Sequence, residues 1–293
     1  MSRIVSAFFW LSSLLPMWLH YLVSDVVLYP IIYYVVGYRK RVVRTNLEKS
    51  FPEKDVRERR KIERGFYHHF CDYIVENCKL YTISEASIKK RFIIEGVEEL
   101  EKELDAHGLV FLYLGHYANW EYLCSLQLWL QPQYGSANIY RPLSNKAFDK
   151  LFLYLRSRFG ADCIAKKETL RHILKLKDEG RKMVVGFVSD QSPRLTSTHL
   201  WVNFLNQETA VFTGTERIAK KVDAAVFFVD ITKKKRGHYL CQLRPLTSDA
   251  RSYPDYQLTE VYMQELEKMI RRNPSIWLWS HRRWKHKRPV PEQ

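Results

Sequence analysis

The stretch that most restricts the fold is Leu109-Val110-Phe111-Leu112-Tyr113-Leu114, an apolar run closed by Gly115. A run that short, rich in branched and aromatic side chains and ended by glycine, reads as a buried strand. His116 follows directly, and residues 119–130 read as a helix. A histidine therefore stands at the exit of a buried strand, where α/β proteins place their chemistry.

Glu121 follows His116 with four residues between them. On one regular helix that spacing separates side chains by about 140°. The histidine is thus expected in the turn before the helix and the carboxylate in its first turn. There Glu121 could bond one imidazole nitrogen and leave the other to take a proton from a hydroxyl. It would fix the tautomer and stabilise the imidazolium, and an acceptor that brings its own hydroxyl needs no serine nucleophile. The alternative is a strand-end histidine that bonds only backbone.

Strand signals recur at Arg91–Ile94, Ala137–Tyr140 and Met183–Ser189, and a hairpin at Ala224–Thr232 and Tyr239–Leu243 with Lys233–Gly237 as its turn. Between them lie helical patterns at 54–80, 97–105, 145–159, 168–178, 213–221 and 255–272. The alternation predicts an α/β fold, a central mostly parallel or mixed β-sheet flanked by helices. His68 and His69 are adjacent on the 54–80 helix and cannot share a face, which reads as ordinary surface or packing. Tyr140-Arg141-Pro142 and Asp190-Gln191-Ser192-Pro193 end two of the strands, so three strand ends carry polar residues. Arg141 offers a planar fork to a phosphate or carboxylate, and Arg156 and Arg158 could add to it. Each arginine alone reads equally well as a solvated charge, and Asp190 as a supporting residue or a turn former before Pro193.

Both ends of the chain are distinctive. Residues 4–36 are almost uncharged and long enough to span a bilayer once, or to form two shorter helices, because Pro16 and Pro30 interrupt them. Arg39, Lys40, Arg41 and Arg44 follow, which by the positive-inside rule puts the remaining chain in the cytoplasm. Residues 1–38 are accordingly read as a membrane anchor and 39–293 as one cytosolic domain; a buried helical hairpin of a soluble protein is the alternative. The segment Trp277–Arg288 interleaves tryptophans with cations. That pattern suits nucleic-acid stacking, a membrane interface, or tryptophans packed on the domain beneath solvated cations; the apolar N-terminus favours the membrane.

The 47 basic against 32 acidic residues give a net charge of +15, which calls for an anionic partner. Five scattered cysteines form no CxxC pair, so neither a disulfide framework nor a zinc pattern is present.

The ordered set of motifs resembles the late acyltransferases of lipid A biosynthesis, the lauroyl/myristoyl transferase family within the wider glycerolipid acyltransferase group. It comprises Tyr38-Arg39-Lys40, Arg44-Thr45-Asn46-Leu47, Phe51-Pro52-Glu53, Gly115-His116…Glu121, Tyr140-Arg141-Pro142 and Arg156…Arg158-Phe159-Gly160. It continues through Ser189-Asp190-Gln191-Ser192-Pro193, Trp201-Val202-Asn203-Phe204, Thr213-Gly214 and Asn273-Pro274…Trp277-Leu278-Trp279-Ser280-His281-Arg282-Arg283-Trp284-Lys285. One departure is Leu205-Asn206, where the family usually has a small residue and glycine. The resemblance implies a bacterial inner-membrane enzyme that moves an acyl chain from acyl carrier protein, or from coenzyme A, to a lipid hydroxyl. It implies His116 as general base with Glu121 orienting it, and a substrate site drawn from Arg141, Arg156, Arg158, Asp190 and Gln191. The acceptor is an anionic lipid, and neither metal, further cofactor nor nucleic acid is expected. Rival readings are a lysophospholipid or aminolipid O-acyltransferase, a membrane-tethered nucleic-acid-binding protein and a catalytically silent lipid binder.

Overall fold

A computed structural model describes residues 9–289. The expected sheet is present, with seven strands in the order β1-β9-β8-β2-β5-β3-β4. These are β1 (Phe92–Glu95), β2 (Leu109–Leu114), β3 (Gly135–Tyr140), β4 (Asp162–Ala165), β5 (Met183–Val188), β8 (Ala225–Lys235) and β9 (His238–Thr247). All neighbours run parallel except the β8–β9 hairpin. β2 is buried along its whole length, as a central strand covered on both faces must be. The hairpin is longer than its sequence suggested. Lys233 to Lys235 continue β8, and the reversal is confined to Arg236-Gly237, with Gly237 in the left-handed region at φ 68°.

Strands β6 (Leu200–Phe204) and β7 (Gln207–Val211) form a separate antiparallel pair. Their two-residue turn is Leu205-Asn206, with both φ values positive (51° and 60°). A turn of this kind favours glycine or asparagine, and Asn206 meets that preference at its second position. Leu205 is held in that conformation by burial of its side chain and by its amide, which donates to Glu267 Oε2 at 2.8 Å.

The helices that cover the sheet begin and end where their sequences dictate. α1 is Met17–Val35, α2 is Lys40–Ser50, and α3 is Val56–Leu80. α3 opens on a reciprocal cap: the Glu58 amide donates to Asp55 Oδ1 at 2.8 Å, and the Asp55 amide donates to Glu58 Oε2 at 2.9 Å. α4 (Glu85–Arg91), α5 (Val97–His107), α6 (Lys146–Ser157), α7 (Thr169–Asp178), α8 (Gly214–Val222) and α9 (Gln257–Arg272) complete the set. The segment after β2 is a 3-10 helix, Trp120–Leu128.

Within the apolar N-terminal segment, residues 4–8 lie outside the described part. Pro16 does end a short first helix, as expected. Pro30 does not break α1. The turns around it widen, so that Tyr29 N–H donates to the Ser24 carbonyl and Val36 N–H to the Ile31 carbonyl, five residues back. The looser turns accommodate a residue that lacks an N–H. One side of α1 is bonded to α3: Tyr21 to Glu76 (3.0 Å), Ser24 to Asp72 (2.8 Å) and Tyr33 to Glu63 (3.1 Å). Asp25 also pairs with Arg236 at the β8–β9 turn, at 2.7 Å. The opposite side, with Trp18, Leu22, Val26, Ile31 and Val35, is bare apolar surface.

The C-terminal segment differs most from its sequence expectation. Trp277, Trp279 and Arg283 are buried rather than displayed. Asn46 of α2 donates to the Trp279 and His281 carbonyls at 2.9 and 3.0 Å, and Arg39 Nη1 to the Ser280 carbonyl at 3.0 Å. Trp284 Nε1 donates to Thr209 Oγ1 at 2.7 Å. The tryptophans thus pack inside the domain, because their ring area outweighs the cost of covering the neighbouring cations. Trp279→Ala should lower the unfolding free energy by about 3–5 kcal/mol. The midpoint of urea unfolding, followed by circular dichroism, checks this, and an unchanged midpoint would return the segment to the surface.

Candidate active site

The site forms where β2 and β5 leave the sheet side by side. Leu114 is paired with Val188, and the Ser189 amide donates to the Leu114 carbonyl at 3.0 Å. His116 and Asp190 each follow two residues after that paired level. His116 donates twice to the Asp190 carboxylate, from its backbone amide to Oδ2 (2.8 Å) and from ring Nδ1 to Oδ1 (2.5 Å). Trp277 Nε1 adds a third donor to Oδ2, at 2.8 Å. Gly115 permits this approach: a Cβ there would lie 3.2 Å from Asp190 Oδ2 and 2.7 Å from Leu266.

Burial pushes the Asp190 carboxyl up, but the His116 charge, the two His116 donors and the Trp277 indole outweigh it and hold the group at about 2. The carboxylate is thus ionised and keeps the imidazole proton on Nδ1. In the neutral form of the ring the lone pair then lies on Nε2, 3.1 Å from the Gln191 side-chain amide nitrogen, which can donate to it.

Glu121 is placed otherwise than the sequence suggested. Its carboxylate is held by both arms of Arg156, from Nε to Oε2 (2.8 Å) and from Nη2 to Oε1 (2.6 Å), with Trp120 Nε1 donating to Oε1 at 3.2 Å. The reason is geometric. The Asp190 carboxylate arrives from the adjacent parallel strand and saturates Nδ1, and a buried carboxylate is best neutralised by a forked guanidinium. Burial pushes the Glu121 carboxyl up, yet Arg156 overcomes this and keeps it below its ordinary range. Glu121 and Arg156 thus tie the 3-10 helix to α6 beside the histidine, with Arg156 bound to protein and not displayed to a substrate.

Arg158 is also engaged, donating from Nη1 to the Leu80 carbonyl at 2.6 Å. Arg141 is exposed immediately past the end of β3. Of the residues expected in the site, His116, Asp190 and Gln191 come together, Glu121 and Arg156 form the pair beside them, Arg141 stands at a neighbouring strand end, and Arg158 serves the backbone.

The loop of His116 is fastened from behind by residues that the sequence reading left out. Ala118 adopts φ 54°, its amide donates to the Ile276 carbonyl at 2.8 Å, and the Leu278 amide donates to the His116 carbonyl at 3.1 Å. His69 is buried, not a surface residue, and its Nε2 donates to the Ala118 carbonyl at 3.1 Å. Asn119 donates to Glu76 Oε2 at 2.8 Å, the carboxylate that also accepts from Tyr21 of α1. His281 Nε2 accepts from the Ser192 amide at 3.4 Å, and burial holds this imidazole neutral by lowering it to about 4.

Arg283 is the other omission. It is fully buried, donates from Nη1 to the Ala210 carbonyl at 2.7 Å, and has no hydrogen-bond partner at Nε or Nη2 among the described residues. Burial pulls its guanidinium down to about 10, and the Asp190 charge opposes that shift. The histidines and arginines of the C-terminus were visible in sequence, but nothing in their spacing says that they fold inward.

Two measurements check these contacts. A folded Asp190 near 2 against an ordinary 3.8 stabilises the fold fully above pH 4, and the contribution fades as the pH falls towards 2. It amounts to about 2 kcal/mol. Unfolding free energies measured across that window should therefore fall less steeply for Asp190→Asn than for wild type. Arg156→Met, which leaves Glu121 buried and unpaired, should cost about 3 kcal/mol. Adding Glu121→Leu should recover much of that loss in the same unfolding assay.

Comparison with known proteins bears on this geometry. The model of the bacterial lipid A biosynthesis acyltransferase family matches residues 3–286. The chain is 26% identical over 256 residues to a lipid A biosynthesis palmitoleoyltransferase of Escherichia coli (strain K12), covering 87% of this chain and 81% of that protein. It is 27% identical over 251 residues to the lipid A biosynthesis lauroyltransferase of the same organism, covering 84% and 79%. A lipid A biosynthesis acyltransferase of Haemophilus influenzae (strain ATCC 51907 / DSM 11121 / KW20 / Rd) is 24% identical over 249 residues, covering 84% and 78%. With a paired histidine at the carboxyl edge of its sheet and a family match along nearly its whole length, the chain belongs to the bacterial lipid A biosynthesis acyltransferases.

Proposed function

We propose that this acyltransferase moves a fatty acyl chain from a thioester, of acyl carrier protein or of coenzyme A, to a hydroxyl of a lipid A precursor, with His116 as general base. The observation that carries the reading is the Asp190–His116 pair, which fixes the imidazole with its lone pair on Nε2. In the proposed reaction the acceptor hydroxyl takes the place of the Gln191 amide on Nε2. Nε2 accepts the hydroxyl proton while the oxygen attacks the thioester carbonyl. A C–O bond forms, and the carbonyl π electrons move onto oxygen. Asp190 offsets the positive charge that develops on the imidazole, as the acid does in a hydrolase triad. The Gln191 N–H, displaced from Nε2, becomes a donor for the oxyanion. Collapse re-forms the carbonyl and breaks the C–S bond, and the departing thiolate takes the proton from Nε2. Glu121 and Arg156 act as positioning residues that hold the 3-10 helix against the loop.

A membrane setting fits this reading. α1 is long and apolar enough to cross a bilayer, and its outward side with Trp18, Val26 and Val35 is bare. The inner membrane, with the catalytic domain in the cytoplasm, is the location we propose, on the strength of the cations that follow α1.

The test is acyl transfer from an acyl carrier protein thioester to a lipid A precursor by membranes containing the protein. His116→Ala should lower the rate at least ~10²-fold. Asp190→Asn should lower it by about 10²–10⁴, since the wrong tautomer is then favoured. Full activity in His116→Ala would remove the histidine from the mechanism. A loss for Glu121→Gln as large as for Asp190→Asn would restore Glu121 as the orienting acid.

A further inference from the structure

α1 has two sides along its whole length, and they follow its winding. His20, Ser24, Tyr29 and Tyr33 are buried, while the exposed apolar residues Trp18, Leu22, Val26, Ile31 and Val35 recur at steps of four or five. On a regular helix Trp18 and Val35 would point about 100° apart. The wide turns over Ser24–Leu28 and Pro30–Val35 rotate less per residue and bring the two back towards one side.

The buried side is seated on α3 from end to end. Just ahead of α1, Lys79 Nζ donates to the Ser13 and Leu15 carbonyls at 2.8 and 3.0 Å. Tyr21 then meets Glu76, Ser24 meets Asp72, and Tyr33 meets Glu63. As α1 advances, the residues of α3 are met in reverse order, so the two helices lie antiparallel, side by side. α3 is the longer of the two, with 25 residues against 19. Its far side packs Phe66, Tyr67 and Cys71 into the core of the domain.

We infer that α1 lies in the plane of one leaflet, with its bare side among the headgroups and upper acyl chains of an anionic phospholipid surface, and does not cross the bilayer. This rests on the membrane setting proposed above. If α1 crossed while seated, α3 and the β8–β9 turn would enter the hydrocarbon with it, carrying Glu63, Asp72, Glu76 and Arg236, and charges there are expensive. If α1 left α3 and crossed alone, those three carboxylates would lose donors, and Asp25 would enter lipid without Arg236. Lying flat, the helix covers the same apolar side and keeps every one of these bonds. One apolar side opposite one strongly polar side is the pattern of an interfacial helix. Exposed Trp18 and Tyr34 suit headgroup level. Lys40, with its ammonium 3.9 Å from the Tyr33 ring centroid, and exposed Arg41 follow the helix and suit lipid phosphates.

The experiment uses the full-length protein, reconstituted from detergent into vesicles of phosphatidylethanolamine and anionic phosphatidylglycerol. Trp18→Cys, Val26→Cys and Val35→Cys are each labelled with a nitroxide. Label depth is read from the relaxation caused by dissolved oxygen and by a water-soluble nickel chelate. Wild type, treated alike, gives the signal from the native cysteines. All three sites should lie at one depth, about 5–10 Å below the lipid phosphates. Val26 about 15 Å deep between shallow Trp18 and Val35 would mark a crossing helix and overturn the proposal. So would a steady change of depth from Trp18 to Val35, or labels that stay in water. Protein that does not bind the vesicles at all would overturn the membrane setting as well. Acyl transfer by the same samples, and its loss in His116→Ala, report separately on the reading of the site. Leu22→Cys and Ile31→Cys, on the same side, replace any variant that circular dichroism in detergent shows to be unfolded.

Discussion

One carboxylate organises the functional end of this molecule. Asp190 accepts from the His116 amide, the His116 ring and the Trp277 indole, and so joins two adjacent parallel strands to the C-terminal segment. A buried carboxylate with three charge-assisted bonds is worth keeping ionised, and its ionisation sets the tautomer on which any base catalysis depends. The glycine before the histidine leaves room for that arrangement, Trp277 takes part in it, and the left-handed Ala118 bonds Ile276 beside that tryptophan. Arg283 adds a second charge behind it, with no direct bond to the carboxylate, in a region too buried for solvent to screen.

The sequence carried the architecture well because the central strands are short apolar runs with glycine or proline punctuation. Leu109–Leu114 and Met183–Val188 could hardly be anything else, and their polar exits bring His116, Asp190 and Gln191 together. What misled was nearness along the chain. Glu121 is close to His116 in sequence, but the acid on Nδ1 comes from residue 190, because parallel register brings Leu114 beside Val188. Register of that kind is not written in a local pattern. The same holds for His69, which looked like one of two ordinary helical histidines until the packing of α3 set it under Ala118. The C-terminus shows a further limit. Tryptophans beside cations look alike whether they face lipid or a core, and only the partners, Asn46 and Arg39 from the other end of the chain, decide it.

The family match and the geometry support each other at different depths. Membership fixes the class of reaction, and the mechanism proposed for His116 needs no nucleophilic serine. They also redistribute the arginines. Two that were candidates for substrate hold structure, one by neutralising Glu121 and one by capping the Leu80 carbonyl, while Arg141 stands exposed at a neighbouring strand end.

The polar side of α1 has a consequence for how freely that helix can be exchanged. Tyr21 meets Glu76, and Glu76 in turn accepts from Asn119, three residues beyond His116. An apolar helix of equal length but without Tyr21, Ser24 and Asp25 would still offer a greasy outer side. It would also withdraw donors from two buried carboxylates, Glu76 and Asp72, and a countercharge from Arg236. The segment is therefore a fitted part of the domain. Grafting a foreign anchor onto residue 39 would keep a tether and lose a strut that reaches to the loop of the histidine.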